Sequence, residues 1–129
     1  MRYAPDATID ELLDYIAECT LLSICYVMPA TYAEASSTKI RATRVLDSGD
    51  FSIANGPVSG RRLTVAAQSG IVCTVYNAAT GCWIALCKVS DTTLRYVTDL
   101  NGYQEFAWPI DYVFNLSHFH IDVPDPLVP

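Results

Sequence analysis

The sequence has little charge, and most of that charge is of one sign. Only 17% of the 129 residues are charged, and the 14 acids outnumber the 8 Lys and Arg residues, which gives a formal net charge of -6. Nonspecific binding to nucleic acid needs an excess of Lys and Arg over acids. Nucleic acid is therefore not an expected partner.

Long apolar runs are also missing. A helix that spans a bilayer needs about 20 consecutive apolar residues, whereas the longest candidate, residues 21–28, is strand-sized and is interrupted by Ser23. Residues 1–18 carry acids among their apolar positions and lack the continuous apolar core of a secretory signal. We expect a protein without membrane contact that is synthesised and folded in a cytosol.

The common short motifs of catalytic and cofactor sites are absent. The sequence contains no G-x-S-x-G, no G-x-G-x-x-G and no P-loop lysine after the glycines of residues 56–60. Cys82 and Cys87 have the wrong spacing for a C-x-x-C pair. Asp47 and Asp50 belong to a turn sequence, where aspartate binds its own backbone. We therefore expect no enzymatic activity and no cofactor.

Five cysteines are present, an odd number, so at least one has no disulfide partner within the chain. They are Cys19, Cys25, Cys73, Cys82 and Cys87. If residues 71–76 and 82–87 form a hairpin through the turn sequence NAATG, Cys73 and Cys87 become diagonal neighbours. Buried free thiols are nevertheless the favoured outcome.

The periodicity of the apolar residues predicts one helix followed by strands. Thr8 and Glu11 form a capping-box pattern ahead of an apolar stripe, which predicts a helix over about residues 8–19. After Thr20 the sequence is rich in strand formers, and turn sequences recur at regular spacing. Beyond the first strand segment, strands are expected near residues 39–46, 51–54, 61–68, 71–76, 82–89, 93–99, 103–108 and 118–123.

These elements indicate one mainly β domain over residues 1–129. The expected architecture is an N-terminal α-helix followed by an antiparallel β-sandwich or barrel. No second helical pattern of comparable quality follows, which disfavours a parallel sheet. The proline-rich residues from about 123 to 129 are predicted to form an extended arm.

The two histidines lie in HFHID near the end of the chain, where His118, His120 and Asp122 share one face of a strand. Three such groups in a row raise the hypothesis of a metal-dependent enzyme. One strand rarely supplies a complete coordination shell, however. We interpret the segment as a closing strand with an apolar face on the core, and we expect no bound metal.

Several segments resemble a group of small virion-associated proteins of tailed bacteriophages. They are DELLDYIAE, ATYAEASST, SGDFSIANGPVSGRRLTVAAQSG, LRYVTDL and FHIDVPDP. The resemblance covers most of the chain and is densest at residues 31–34 and 48–70, whereas residues 72–87 and 101–118 depart from it. It implies a non-enzymatic virion component, made in the host bacterial cytoplasm, with an N-terminal helix packed on a β-sandwich.

Within that group, the first expectation is a capsid decoration or cement protein. Such a protein binds the major capsid protein in many copies on a symmetric lattice, or as a homo-oligomer, and stabilises the particle. The alternative is a neck, tail or fibre-base protein with a part in host adsorption. A tail or fibre protein that displays aromatic residues to host glycan is a further form of this alternative.

The segment SGRRLTVAAQSG and the C-terminal aromatic residues supply the candidate interface. Strand alternation predicts that Leu63, Val65 and Ala67 face the core and that Arg62, Thr64 and Ala66 face outward. Arg61 and Arg62 are expected to meet acidic groups of a neighbouring subunit, and aromatic residues are enriched in interfaces. The candidate interface residues are Arg61, Arg62, Thr64, Tyr103, Trp108 and Tyr112.

Overall fold

The computed structural model describes residues 6–56, 60–78, 81–99 and 109–123. This part of the chain contains one regular α-helix, α1 (Asp6–Ala17), short 3-10 and π-helical turns, and nine strands. The strands are β1 (Leu21–Cys25), β2 (Ile40–Val45), β3 (Phe51–Asn55), β4 (Arg61–Val65), β5 (Gln68–Val72), β6 (Trp83–Lys88), β7 (Thr93–Asp99), β8 (Val113–Leu116) and β9 (Phe119–Val123).

Helix α1 begins and ends two residues before the predicted span. Thr8 therefore lies inside the first turns of the helix and is not its cap. The predicted apolar stripe is confirmed, because Ile9, Leu13 and Ile16 are all buried. The helix packs on β3 and β4 through this stripe.

The described strands form three antiparallel sheets. Their orders are β2-β1-β6-β7, β3-β4-β9 and β5-β8. A mainly β protein with an N-terminal helix is therefore confirmed. None of the three sheets closes on itself within the described residues, so a barrel is not seen, and the sandwich stays a prediction.

The two smaller sheets join end to end. Val65 lies opposite Phe119 at the end of the β4-β9 pair, and Gln68 lies opposite Leu116 at the start of the β5-β8 pair. The spacing is three residues on each strand, so β4 leads into β5 and β8 leads into β9 in one bent ribbon.

The main hydrophobic core lies between α1, this ribbon and one face of the four-stranded sheet. Leu22 and Ile84 contribute from the four-stranded sheet, and Leu63 and Ile121 contribute from the ribbon. A smaller cluster covers the opposite face of the four-stranded sheet, beneath the π-helical turn Glu34–Thr38. Its buried members are Cys25, Ala35, Ala85 and Cys87.

The hairpin through NAATG that the sequence left open is not formed. Strand β5 ends at Val72 and pairs with β8, whereas β6 lies between β1 and β7 in another sheet. Residues 84–87 are all buried, which requires a central strand with neighbours on both sides. Cys73 and Cys87 are thus not cross-strand neighbours, and all five cysteines are buried free thiols.

The predicted strand at residues 61–68 is also shorter than expected. Strand β4 ends at Val65, and the chain bends at Ala66, whose N–H donates to the Asp50 carbonyl oxygen over 2.8 Å. Ala67 is consequently exposed, so the prediction that it faces the core is wrong. The turn at residues 47–50 agrees with its prediction. The Asp47 side chain accepts from the Gly49 N–H, and the Asp50 side chain accepts from the Asp47 N–H.

Some predictions fall outside the described residues. They include the strand near residues 103–108 and the arm beyond Val123, while Val123 itself still belongs to β9. Strand β8 was not predicted. Among the helices of the described ranges, none has the length and hydropathy that crossing a membrane requires.

Candidate functional site

The exposed side of the β3-β4-β9 sheet carries two rows of side chains that lie directly opposite one another. We call this surface the outer face. Its residues are Ser52, Thr64 and His120 in one row and Ala54, Arg62 and Asp122 in the other. The predicted alternation is confirmed for this part of β4, because Leu63 and Val65 are fully buried on the other side.

The charged pair on the outer face joins two neighbouring strands. Arg62 donates from Nε to Asp122 Oδ1 over 2.7 Å and from Nη2 to Oδ2 over 3.0 Å. This hydrogen bonding is the main cause that raises the pKa of Arg62 and lowers the pKa of Asp122. Both charges of the pair are therefore matched within the chain.

The other row holds a hydroxyl beside an imidazole. Thr64 Oγ1 lies 3.0 Å from His120 Nδ1, and the rings of His118 and His120 lie 5.2 Å apart. A nucleophile and base pair needs a third group that orients the base. No described side chain hydrogen-bonds the second ring nitrogen of His120, and the row is open to water.

The structure does not bring the metal candidates together as a ligand set. His120 contacts Thr64, and Asp122 is bound to Arg62, so two of the three candidates already have partners. No group of three His, Cys, Asp or Glu side chains within the described residues is arranged to hold a metal ion.

Arg61 lies on the opposite side of the sheet from Arg62. Its Nε donates to Asp10 Oδ1 of α1 over 2.8 Å, and its Nη1 donates to Asn55 Oδ1 over 2.8 Å. Arg61 therefore holds α1 to the sheet with an acid of its own chain. The sequence contained the signal for this, since Arg61 has the same strand parity as Leu63 and Val65.

A second exposed surface lies at the β5-β8 end of the ribbon. We call it the ribbon patch, and it consists of Val72, Val75, Tyr76, Ile110 and Val113, each 40% to 58% exposed. Val72 and Val113 are directly opposite across the two strands. Exposed apolar residues that cluster in this way mark interaction surfaces more often than isolated ones do.

Backbone hydrogen bonds hold the loops of the ribbon patch beside the strands. Cys73 donates to the Tyr112 carbonyl oxygen over 2.8 Å, and Asp111 donates to the Cys73 carbonyl oxygen over 2.9 Å. Tyr112, a predicted interface residue, is half-buried against the main core at the edge of this patch. Tyr103 and Trp108, the other two predicted aromatic anchors, lie outside the described residues.

Sequence reasoning missed the ribbon patch, although part of its signal was present. Ile71 is a core residue, so alternation along β5 places Val72 on the opposite side. The neighbouring Val113 was not assigned to any strand. Its proximity to Val72 depends on a pairing between segments 41 residues apart, which local periodicity does not report.

The cations in the described ranges are engaged within the chain. The acceptors are Glu34 for Lys39, the Gly81 carbonyl for Arg41, the Ser69 carbonyl for Arg44, Asp10 for Arg61, Asp122 for Arg62, Glu18 for Lys88, and Glu18 with Asp91 for Arg95. By contrast, Glu11 and Asp14 on α1 are exposed and form no ion pair with a described residue. The accessible charge of the described surface is therefore mainly negative.

Comparison of the chain with protein-family models, with curated proteins and with solved structures gives no match.

Proposed function

We propose that this chain is a non-enzymatic structural protein of a tailed-phage particle. In this proposal it decorates the capsid, with the outer face bound to the major capsid protein at many equivalent lattice positions. The resemblance of the sequence to small virion-associated proteins supports this choice of particle. The neck, tail or fibre-base role remains the alternative, and copy number separates the two.

The observation that carries the proposal is the pairing of polar groups along the outer face. Arg62 binds Asp122, and Thr64 contacts His120, so these groups have partners before any docking. Docking then does not leave a lone charge buried, which is the costly outcome at an interface. Ser52 and Ala54 are exposed and small, so another backbone can approach the sheet closely.

The proposed fold places the sheets in the two layers of a β-sandwich. Leu22 and Ile84 of the four-stranded sheet share the main core with Leu63 and Ile121 of the ribbon. Side chains from two sheets that meet in one core are the arrangement that a sandwich requires.

In a decorated capsid, each copy makes one weak contact through its outer face, and the particle carries many copies. On a symmetric lattice each bound copy adds its own contact, and linked copies benefit from a high effective concentration. A single contact can then be modest while the shell as a whole is stabilised. The expected phenotype of its loss is a particle that adsorbs normally but releases its genome at a lower temperature.

The test uses particles of the phage that encodes the chain, prepared without this protein. Purified wild-type protein is added back, and copies per particle are counted by quantitative electrophoresis while genome release is followed during heating. We expect binding of hundreds of copies and a rise in the release temperature. A count of about a dozen or fewer, or loss of adsorption with unchanged heat stability, would contradict the decoration role.

Two arginine substitutions locate the contact. Ala54→Arg places a bulky charge on the outer face, and Thr43→Arg places the same group on an exposed position of β2 in another sheet. We expect Ala54→Arg to lower the number of bound copies at least tenfold while Thr43→Arg binds like the wild type. Equal binding by the two variants would exclude the outer face as the contact.

A further inference from the structure

The ribbon patch lies beside an edge of β8 that has no partner strand in the part of the chain that the structure describes. Strand β5 has β8 on one side and approaches β2 on the other, where Arg44 donates to the Ser69 carbonyl oxygen. Strand β8 pairs with β5 alone among the described strands. Within the described residues, the backbone N–H and C=O groups of its second edge have no partner strand, and another strand can pair with them.

The charge distribution decides which partner fits this edge. Two copies of a chain with a net charge of -6 repel each other, most strongly at exposed acids such as Glu11 and Asp14, which form no ion pair with a described residue. Residues 68–76 and 112–117 contain no charged side chain at all. The ribbon patch is therefore a surface on which two copies can meet with little repulsion.

The two ends of β8 differ in polarity. Asp111 lies just before the strand and His118 lies just after it, and both are exposed. When two β8 strands pair in an antiparallel manner, the acidic end of each lies towards the imidazole end of the other. This arrangement is self-complementary, as a contact around a twofold axis requires.

A basic partner is a poorer fit to the same place. The ribbon patch contains four aliphatic side chains and one tyrosine, and the exposed Asp111 follows directly after Ile110 of the patch. The lysine and arginine side chains of a basic surface would lose hydration against these apolar residues, none of which is an acid that could pair with them. An apolar, uncharged surface matches better, and a second copy supplies one of the same shape.

We infer that the ribbon patch joins two copies of this chain into a twofold dimer, with β8 beside β8 in one four-stranded antiparallel sheet. Two-stranded ribbons have little stability of their own, and two more strands add both hydrogen bonds and cover for Val113. The inference goes beyond the proposed function, since a dimer forms whether or not a particle is present. The outer face lies on another sheet and stays free in each copy.

Sedimentation velocity of the purified chain over about 1 μM to about 1 mM tests this inference, because small apolar interfaces give dissociation constants in this range. Val113→Glu brings acids together near the twofold axis. Val45→Glu makes the same change on β2, at a valine that is 78% exposed and lies outside the patch. We expect a reversible wild-type dimer, at least tenfold weaker with Val113→Glu and unchanged with Val45→Glu.

Disulfide crosslinking is a second test of the same contact, and it does not require a variant that weakens the dimer. The five native thiols are buried, so an exposed cysteine introduced by Val113→Cys is the first to oxidise. We expect rapid formation of a disulfide-linked dimer with Val113→Cys and none above background with Val45→Cys. A near-ultraviolet circular dichroism spectrum confirms that each variant keeps its tertiary packing.

The outcomes are distinct from those of the particle experiment. A wild-type chain that stays monomeric up to about 1 mM overturns the dimer and leaves the decoration role untouched. A dimer that resists Val113→Glu and does not crosslink through Val113→Cys overturns the ribbon patch as its contact. Should Val113→Glu fail to fold, the crosslinking result decides.

Discussion

Arg61 and Arg62 are neighbours in the chain, yet they bind carboxylates on opposite sides of the same sheet. Arg61 reaches Asp10 on α1, and Arg62 reaches Asp122 on β9. The two ion pairs have similar geometry, but they differ in what they join. One holds a helix against the sheet, and the other links two strands that already pair along five residues.

This difference predicts unequal effects of two matched substitutions. Arg61→Ala removes a half-buried group that bridges α1 and β3, so we expect a loss of about 1–2 kcal/mol in the free energy of unfolding. Arg62→Ala removes an exposed pair and should cost clearly less. Urea unfolding followed by circular dichroism measures both values, and an equal or larger loss for Arg62→Ala would contradict this assignment.

Acid should destabilise the protein through its bound carboxylates. The pKa of Glu18 is lowered mainly by hydrogen bonding from Arg95, and the pKa of Glu34 is lowered mainly by the Ala30 N–H. A carboxylate with a lowered pKa in the folded state contributes stability that is present above its unfolded pKa, about 4.3 for Glu. That contribution is lost as the pH falls from this value through the folded pKa.

The urea midpoint is therefore expected to be flat between about pH 7 and about pH 5 and to fall below about pH 4.3. Glu18→Gln should make this fall shallower, because the side chain no longer titrates. Glu11→Gln is the matched control, since Glu11 is exposed and has no ion pair with a described residue. The same slope change in both variants would show that Arg95 does not set the response.

Local pattern predicted the elements better than it predicted their pairing. Strand β7 matches its predicted span, and α1 differs by two residues at each end. The sheet orders were beyond reach, because β6 pairs with β1 from about 60 residues earlier, and its neighbouring turn sequence NAATG suggested a local hairpin instead. A turn sequence reports that the chain reverses, but it does not report which strand lies alongside.

The candidate surfaces show the same difference between local pattern, which the sequence predicts, and long-range pairing, which it does not. Alternation placed Arg62 and Thr64 on an exposed sheet face correctly, because burial of Leu63 and Val65 is a local consequence of strand geometry. It did not reveal that Asp122 neutralises Arg62, since that pair is 60 residues apart in sequence. The ribbon patch likewise exists because distant segments meet at β5 and β8.

Gly81 should not tolerate a side chain. A Cβ atom there would lie 2.5 Å from the Tyr26 carbonyl oxygen, and a backbone oxygen does not move aside as a flexible side chain does. We expect Gly81→Ala to cost about 1–3 kcal/mol in the free energy of unfolding. Gly49→Ala is the comparison, because a Cβ atom there would lie 3.1 Å from Asp47 Oδ1, which belongs to a side chain. We expect Gly49→Ala to lower the free energy of unfolding by less than Gly81→Ala does.

Because the thiols are buried, we expect them to react slowly in the folded protein, and we expect the protein to lose stability at alkaline pH. Burial is the main cause that raises the pKa of Cys19 and Cys25 to about 12 and that of Cys82 and Cys87 to about 11. The thiolate is the reactive form of cysteine. At about pH 8 the folded protein should therefore react with a disulfide reagent on the order of 100-fold more slowly than the unfolded chain.

The same groups set the alkaline side of the stability profile. A thiol whose pKa is raised in the folded state contributes stability that is complete below its unfolded pKa, about 8.5, and that is lost as the pH rises towards the folded value. Cys19→Ala should reduce this slope above about pH 9, because one of the thiols with a raised pKa is then absent. One thiol that reacts at the unfolded rate in the native protein would show that its burial is incomplete in solution.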